Sequence, residues 1–193
     1  MHGLRECGVY ARIYGRVPKF TLSGKELAMC TEVKYLGHII TDSFKDNDDI
    51  LRQRRVLYGQ ANMLKKNFFM CSVEVKIQLF RSYCTPLYTS QLWWDYTKTS
   101  YQKLNVAYND ALRILLNIPR YTSASHMFVS CDLPTLDALR RNLIFSFVKR
   151  LDISENSLVK ELVNQDNSDI RFTSRIWKHW LSCLYINFNQ GFL

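Results

Sequence analysis

Residues 46–68 read DNDDILRQRRVLYGQANMLKKNF, and this stretch decides the fold class. Asp46, Asn47 and Asp48 form a cluster of side chains suited to cap a helix N-terminus. Behind them Ile50, Arg54, Leu57, Ala61, Leu64 and Phe68 recur at steps of four and three. That period is one stripe of an α-helix, with Arg54 its polar exception. Arg52, Arg55, Lys65 and Lys66 fall off the stripe.

The same pattern continues downstream. Ser72 caps a second helix whose face carries Ile77, Phe80, Cys84, Leu87 and Gln91. Pro86 has no N–H to donate, so two segments are expected, 72–85 and 86–96. Thr99 or Ser100 caps a third helix with an inner stripe of Leu104, Ala107, Ala111, Leu115 and Ile118, stopped by Pro119. Pro134 opens a fourth, in which Leu136, Leu139, Leu143, Phe147 and Leu151 repeat at helical spacing. A shorter helix over 154–163 and a last one over 175–188, rich in Trp177, Trp180 and Tyr185, complete the series. No internal repeat of fixed period is visible.

Upstream the period changes. Residues 19–22, a turn at Ser23-Gly24-Lys25, and residues 26–30 read as a short hairpin. Residues 32–41 follow as a further extended segment, with Val33, Tyr35 and Ile39 on one face and Leu36 and Ile40 on the other. Gly37 between them marks a bulge or a close backbone approach. The reading is α+β, mainly α: an unassigned arm at 1–18, a small antiparallel β unit at 19–42 and a helical domain at 43–193.

Composition agrees with a folded chain. Of 193 residues 47% are apolar, and glycine and proline are scarce. Lys and Arg outnumber Asp and Glu 26 to 17, for a net charge of +9, which favours polyanionic partners. The six cysteines, Cys7, Cys30, Cys71, Cys84, Cys131 and Cys183, are widely spaced with no C-x-x-C pair, so they read as buried free thiols in a reducing compartment rather than zinc ligands. No apolar run reaches a membrane span and the start has no apolar signal core; the expectation is an intracellular, soluble chain.

Catalytic signatures are sparse. Asp48-Asp49 is the only adjacent carboxylate pair. Two-metal nucleotidyl transfer needs carboxylates converging on two ions, usually from a tight turn between apolar strands. Here the pair leads into a helix, where capping and dipole complementation account for it. His126 lies in a Ser/Thr-rich stretch, 121–130, read as a loop with local hydrogen bonds. No phosphate-cradling loop, dinucleotide fingerprint or metalloprotease motif occurs.

The basic residues carry more. Arg52, Arg54, Arg55, Lys65 and Lys66 follow one another without an intervening acid, interleaved or flanked by Tyr58, Phe68 and Phe69. Arg140, Arg141, Lys149 and Arg150 make a second group on the fourth helix, and Arg171, Arg175 and Lys178 a third. Such groups attract backbone phosphates regardless of sequence, and nearby aromatics can stack on bases.

Val33-Lys34-Tyr35-Leu36-Gly37-His38-Ile39-Ile40 resembles the F-K-Y-L-G-H-I-I segment of non-LTR (LINE-like) retrotransposon reverse transcriptases. In that family it follows the catalytic hairpin of the palm and forms the primer-grip region. Residues 49–55, 57–64 and 71–73 are similar to the first thumb segment, 80–88 to a Pro-kinked helix, 107–116 with Pro119-Arg120 to the next helix and its stop. Arg141-Asn142-Leu143 and Trp177-Lys178-His179-Trp180 are similar to later motifs. The likeness spans about residues 19–185.

The resemblance implies the end of a palm and a helical thumb. It implies an RNA–DNA or RNA template–primer as partner, together with the palm and fingers. Magnesium in that family is held by upstream aspartates that have no counterpart here, so the fragment is expected not to polymerise alone. Tyr35, Leu36 and Gly37 would be primer-grip-like, and Arg52, Arg55, Lys65, Lys66, Arg140 and Arg141 phosphate contacts. Residues 1–17 depart from the palm segment of the family, as either a truncated element or a misplaced gene end would. The alternative is a helical protein-interaction module without a nucleic-acid role, or a non-functional relic.

Overall fold

The computed structural model describes residues 19–28 and 30–164. The expected arm at 1–18, the helix at 175–188 and the third basic group, Arg171, Arg175 and Lys178, lie outside the described residues. Four short strands come first: β1 (Thr21–Leu22), β2 (Lys25–Glu26), β3 (Glu32–Tyr35) and β4 (His38–Thr41). Helices α1 (Asn47–Asn67), α2 (Val73–Tyr83), α3 (Lys98–Leu116), α4 (Ala124–Ser130), α5 (Leu136–Asp152) and α6 (Ser157–Asn164) follow. A single 3-10 turn, Ser90–Leu92, lies between α2 and α3. The fold is therefore α+β and mainly α, as its periodicity requires.

The β region is two separate antiparallel hairpins rather than one unit. In the first, Thr21 pairs with Glu26 and Leu22 with Lys25. In the second, Glu32 pairs with Thr41 and Tyr35 with His38. Residues 32–41 thus fold back on themselves where a single extended segment was expected. Leu36 (φ 47°) and Gly37 (φ 82°) are both left-handed, as are Ser23 (φ 52°) and Gly24 (φ 77°). That is the backbone pattern of a two-residue type I′ turn, whose twist matches the strands it joins. Leucine is a poor residue for this conformation, which hid the turn.

Helix α1 packs most extensively on α3. The buried side chains Ile50, Gln53, Leu57, Ala61 and Leu64 face Leu104, Ala107, Tyr108, Ala111, Leu112 and Leu115. Ala61, Ala107 and Ala111 keep this seam thin, so the two backbones approach closely. Phe80 of α2 and Phe128 of α4 close the core around Tyr108, each with its ring centroid 5.4 Å away. The buried Tyr108 hydroxyl donates to the Pro134 carbonyl at 3.1 Å, and burial raises its pKa.

Helix boundaries follow side-chain caps. Ser72 accepts from Val75 N and Thr135 from Ala138 N. Helix α3 starts at Lys98, its cap Thr97 lying two or three residues before the expected Thr99 or Ser100 and accepting from Ser100 N at 3.2 Å. It ends at Leu116, with Asn117 left-handed (φ 55°), two residues before Pro119. The stretch 124–130, expected as loop, is helix α4, buried through Met127 and Phe128. Residues 86–96, expected as a helix, form only the 3-10 turn: Pro86 removes a donor, and Thr89 is left-handed at φ 74°. Of the cysteines described, Cys84 is buried, its thiol pushed up to about 12 by burial, whereas Cys30 is exposed, contrary to a uniformly buried set.

The left-handed leucine gives a direct test. Leu36 is 82% exposed, so Leu36→Asn sacrifices little packing and relieves about 1 kcal/mol of backbone strain. Amide exchange in β3 and β4 should slow about fivefold. Unchanged or faster exchange would show that the turn is not strained.

Candidate nucleic-acid interface

A helix advances about 100° per residue, so a buried face of Ile50, Leu57 and Leu64 fixes where the basic residues point. Arg54, Tyr58 and Lys65 fall beside that face, and Arg55 and Lys66 further round the same flank. From Arg54 to Lys66 the flank covers about 120° of the circumference. Arg55, Lys65 and Lys66 are exposed. Across from the inner edge of this flank stand the first turns of α3. Arg54 and Tyr58 of α1, with Lys98, Thr99, Gln102, Lys103 and Val106 of α3, line an open cleft of about 420 Å³.

No carboxylate lines the cleft. The Arg54 guanidinium carbon sits 5.9 Å from the centre of the Tyr58 ring, a loose cation–π contact. The Tyr58 hydroxyl donates to Asp110 Oδ2 at 3.4 Å. Asp110 in turn accepts from Arg113 at Oδ1 (3.2 Å) and from Arg120 at Oδ2 (3.5 Å), so its charge is matched by two guanidinium groups.

The expected site residues divide. Arg55, Lys65 and Lys66 are all exposed on α1, on the flank that helical phase gives them. Arg52 belongs to a different set: its Nε donates to Asp49 Oδ1 at 2.8 Å. Arg140 is not a surface cation at all. It is 5% exposed, donates to the carbonyls of Ser90 and Trp93, and lies 4.9 Å and 5.3 Å from the ring centres of Tyr96 and Tyr101. A guanidinium so enclosed has no face left for a phosphate, so Arg140 leaves the interface. Arg141 is half-buried on α5. Tyr35, Leu36 and Gly37 form the exposed tip of the second hairpin.

Sequence reasoning missed Lys98 and Lys103, which border the cleft only because α3 docks beside α1. Arg54 and Tyr58 were visible as a basic residue and an interleaved aromatic, but their partners were not. For Arg140 the signal existed. It shares a helical face with Leu136 and Ile144, the buried residues on either side of it at steps of four.

The acidic cluster also departs from expectation. Asp46 occupies the N-cap position without a side-chain capping bond; its Oδ2 accepts from the N–H groups of Trp94 and Asp95 at 2.9 and 3.0 Å. Asp49 is fully buried. Its carboxylate accepts from Ile39 N (3.1 Å), Arg52 Nε, Thr89 Oγ1 (3.3 Å) and Trp93 Nε1 (2.8 Å). His38 Nδ1 stands 3.1 Å from the same group, and His38 Nε2 3.7 Å from Asp46. Asp48 alone remains an exposed acid in the first turn. The two buried carboxylates join elements rather than cap a helix. Saturated by these donors and beside a guanidinium, Asp49 does not fit a magnesium ligand.

Opposing effects set the two acids apart. Burial would raise Asp49, but hydrogen bonds from His38, Arg52 and Trp93 outweigh it and hold the carboxyl well below the usual range. Burial raises Asp46 more than the N–H groups of Asp95 and Trp94 lower it. A depressed aspartate stabilises the fold fully above its unfolded value near 3.8 and loses that contribution as pH falls toward its folded value. Asp46 acts in the opposite sense, since its protonation favours the folded state. Asp49→Asn should therefore cost about 3 kcal/mol in urea unfolding at pH 7, and the gap to wild type should narrow below about pH 4. A gap that stays constant into acid would contradict an ionised Asp49. Comparison with protein-family models, with curated proteins and with solved structures finds no match to this chain.

Proposed function

We propose that this chain is a nucleic-acid-holding module, the thumb-like part that follows the catalytic centre in a non-LTR reverse transcriptase. Its work is to grip the sugar-phosphate backbone of an RNA–DNA template–primer while the palm and fingers of the polymerase supply the metal-binding aspartates and magnesium. The observation that carries this reading is an exposed basic flank of α1, with Arg55, Lys65 and Lys66, beside an acid-free cleft lined by Arg54, Lys98 and Lys103. Phosphates are recognised by charge and need no sequence contact, which suits a surface of flexible lysines and arginines. Arg52 and Arg140, which tie the fold together, are left out of the contact set.

The hairpin tip supports the same reading. The turn requires the left-handed backbone at Leu36, and it sets an exposed leucine beside Gly37 at the tip of the hairpin. A close approach of the Leu36-Gly37 backbone to a primer strand would use it.

A second reading, a protein-interaction module, draws on the apolar surface of the hairpins, where Leu22, Tyr35 and Leu36 are all exposed. Among the described residues no helix is long and apolar enough to cross a membrane. Salt dependence separates the two readings. With about five phosphates neutralised, log affinity for an RNA–DNA hybrid should fall with log salt at a slope of about −3.5 to −4.5. Lys65→Gln with Lys66→Gln should make the slope shallower by about two. A slope near zero, or a double variant indistinguishable from wild type, would reject phosphate gripping and favour the hairpin as a protein-docking edge.

A further inference from the structure

The cleft between α1 and α3 differs in chemistry from the flank beside it. The flank offers charge alone. The cleft offers charge, a tyrosine ring, the apolar wall of Val106 and the uncharged polar groups of Thr99 and Gln102. Its volume of about 420 Å³ suits one small planar ligand with its substituents, and is far too small for a duplex. A base inside a duplex keeps its faces stacked on its neighbours and cannot offer one to a tyrosine. An unpaired base can.

We propose that this cleft is a subsite for a single unpaired nucleotide, its base stacked on Tyr58 and its phosphates held by Lys98, Lys103 and Arg54. The inference rests on the backbone-gripping reading above and adds to it a base-dependent component. Three features favour it. The Tyr58 side chain is tethered at its tip beside α3, because its hydroxyl reaches Asp110, 52 residues away, at 3.4 Å. Asp110 is paired with Arg113 and Arg120, so it does not repel an incoming phosphate. The Arg54 guanidinium covers the ring loosely, at 5.9 Å, and a base can displace it and gain its stacking in turn. Thr99 and Gln102 can hydrogen-bond any base edge without selecting one, so the subsite should be tolerant of sequence.

The test uses the full chain and two single strands of equal length, oligothymidylate and an abasic sugar-phosphate strand. Both carry the same phosphates, and only the first carries bases. Wild type should bind oligothymidylate about 5- to 100-fold more tightly. Tyr58→Ala should reduce that affinity to the abasic level, and Tyr58→Phe should keep the preference because the ring remains. Irradiation of a strand bearing 5-iodouracil should crosslink wild-type protein at Tyr58, a measurement that needs no variant to fold. Equal affinity of wild type for the two strands, a preference that survives Tyr58→Ala, or a crosslink mapped away from the cleft would overturn the subsite while leaving backbone gripping intact. Failure of wild type to bind either strand while it binds an RNA–DNA hybrid would also overturn the subsite alone, and failure to bind the hybrid as well would overturn both.

Discussion

One buried carboxylate organises the molecule. Asp49 sits in the first turn of α1, yet its oxygens are satisfied by groups from three other places: the backbone of β4, the arginine one turn along its own helix, and the threonine and tryptophan of the irregular segment before α3. A charge removed from water is tolerable only when donors replace the solvent, and here four hydrogen bonds and the imidazole of His38 do so. The geometry has a consequence for the helices. With Trp93 anchored to Asp49 and Trp94 and Asp95 anchored to Asp46, the chain enters α3 at a fixed point beside the start of α1. The alanine-lined seam then brings the two helices together along their length. The cationic cleft is a by-product of that registration, because Lys98 and Lys103 come to stand opposite Arg54 and Tyr58 only when both helix starts are pinned.

How much of this was legible depends on whether the signal was local. The helical stripe through Leu104, Ala107, Ala111 and Leu115, the Ser72 cap and the break at Pro86 are each written within one or two turns of sequence, and each is found in place. The acids at 46–49 have a local explanation, capping, that competes with a tertiary one, and the tertiary one prevails because Trp93 and Thr89 lie 44 and 40 residues away. Arg140 was misjudged for the opposite reason. Its helical phase placed it inward among leucines, but its charge suggested a surface role. Of the two tyrosines that enclose it, Tyr101 stands in the first turn of α3 and Tyr96 in the irregular segment before it, and no periodicity shows that either meets α5. Leu36-Gly37 was hidden because leucine seldom accepts the left-handed conformation a tight turn requires.

The candidate interface shows the same division. Arg55, Lys65 and Lys66 could be placed on one flank from helical phase alone. The cleft could not, since it needs the docking of α3. Helical phase therefore identifies which face of α1 meets solvent, whereas the open cleft appears only after two elements are set side by side.

The segment between α2 and α3 has little backbone ladder of its own, and its carbonyls are held by side chains from elsewhere: Tyr88 by Gln53, Ser90 and Trp93 by Arg140. Followed from end to end, these links form an unbroken strut. It runs from the Ile39 amide through Asp49 to the Trp93 indole, and from the Trp93 carbonyl to the guanidinium on α5. The second hairpin, a two-stranded ribbon too small to be stable by itself, is thus moored to α5 as well as to α1.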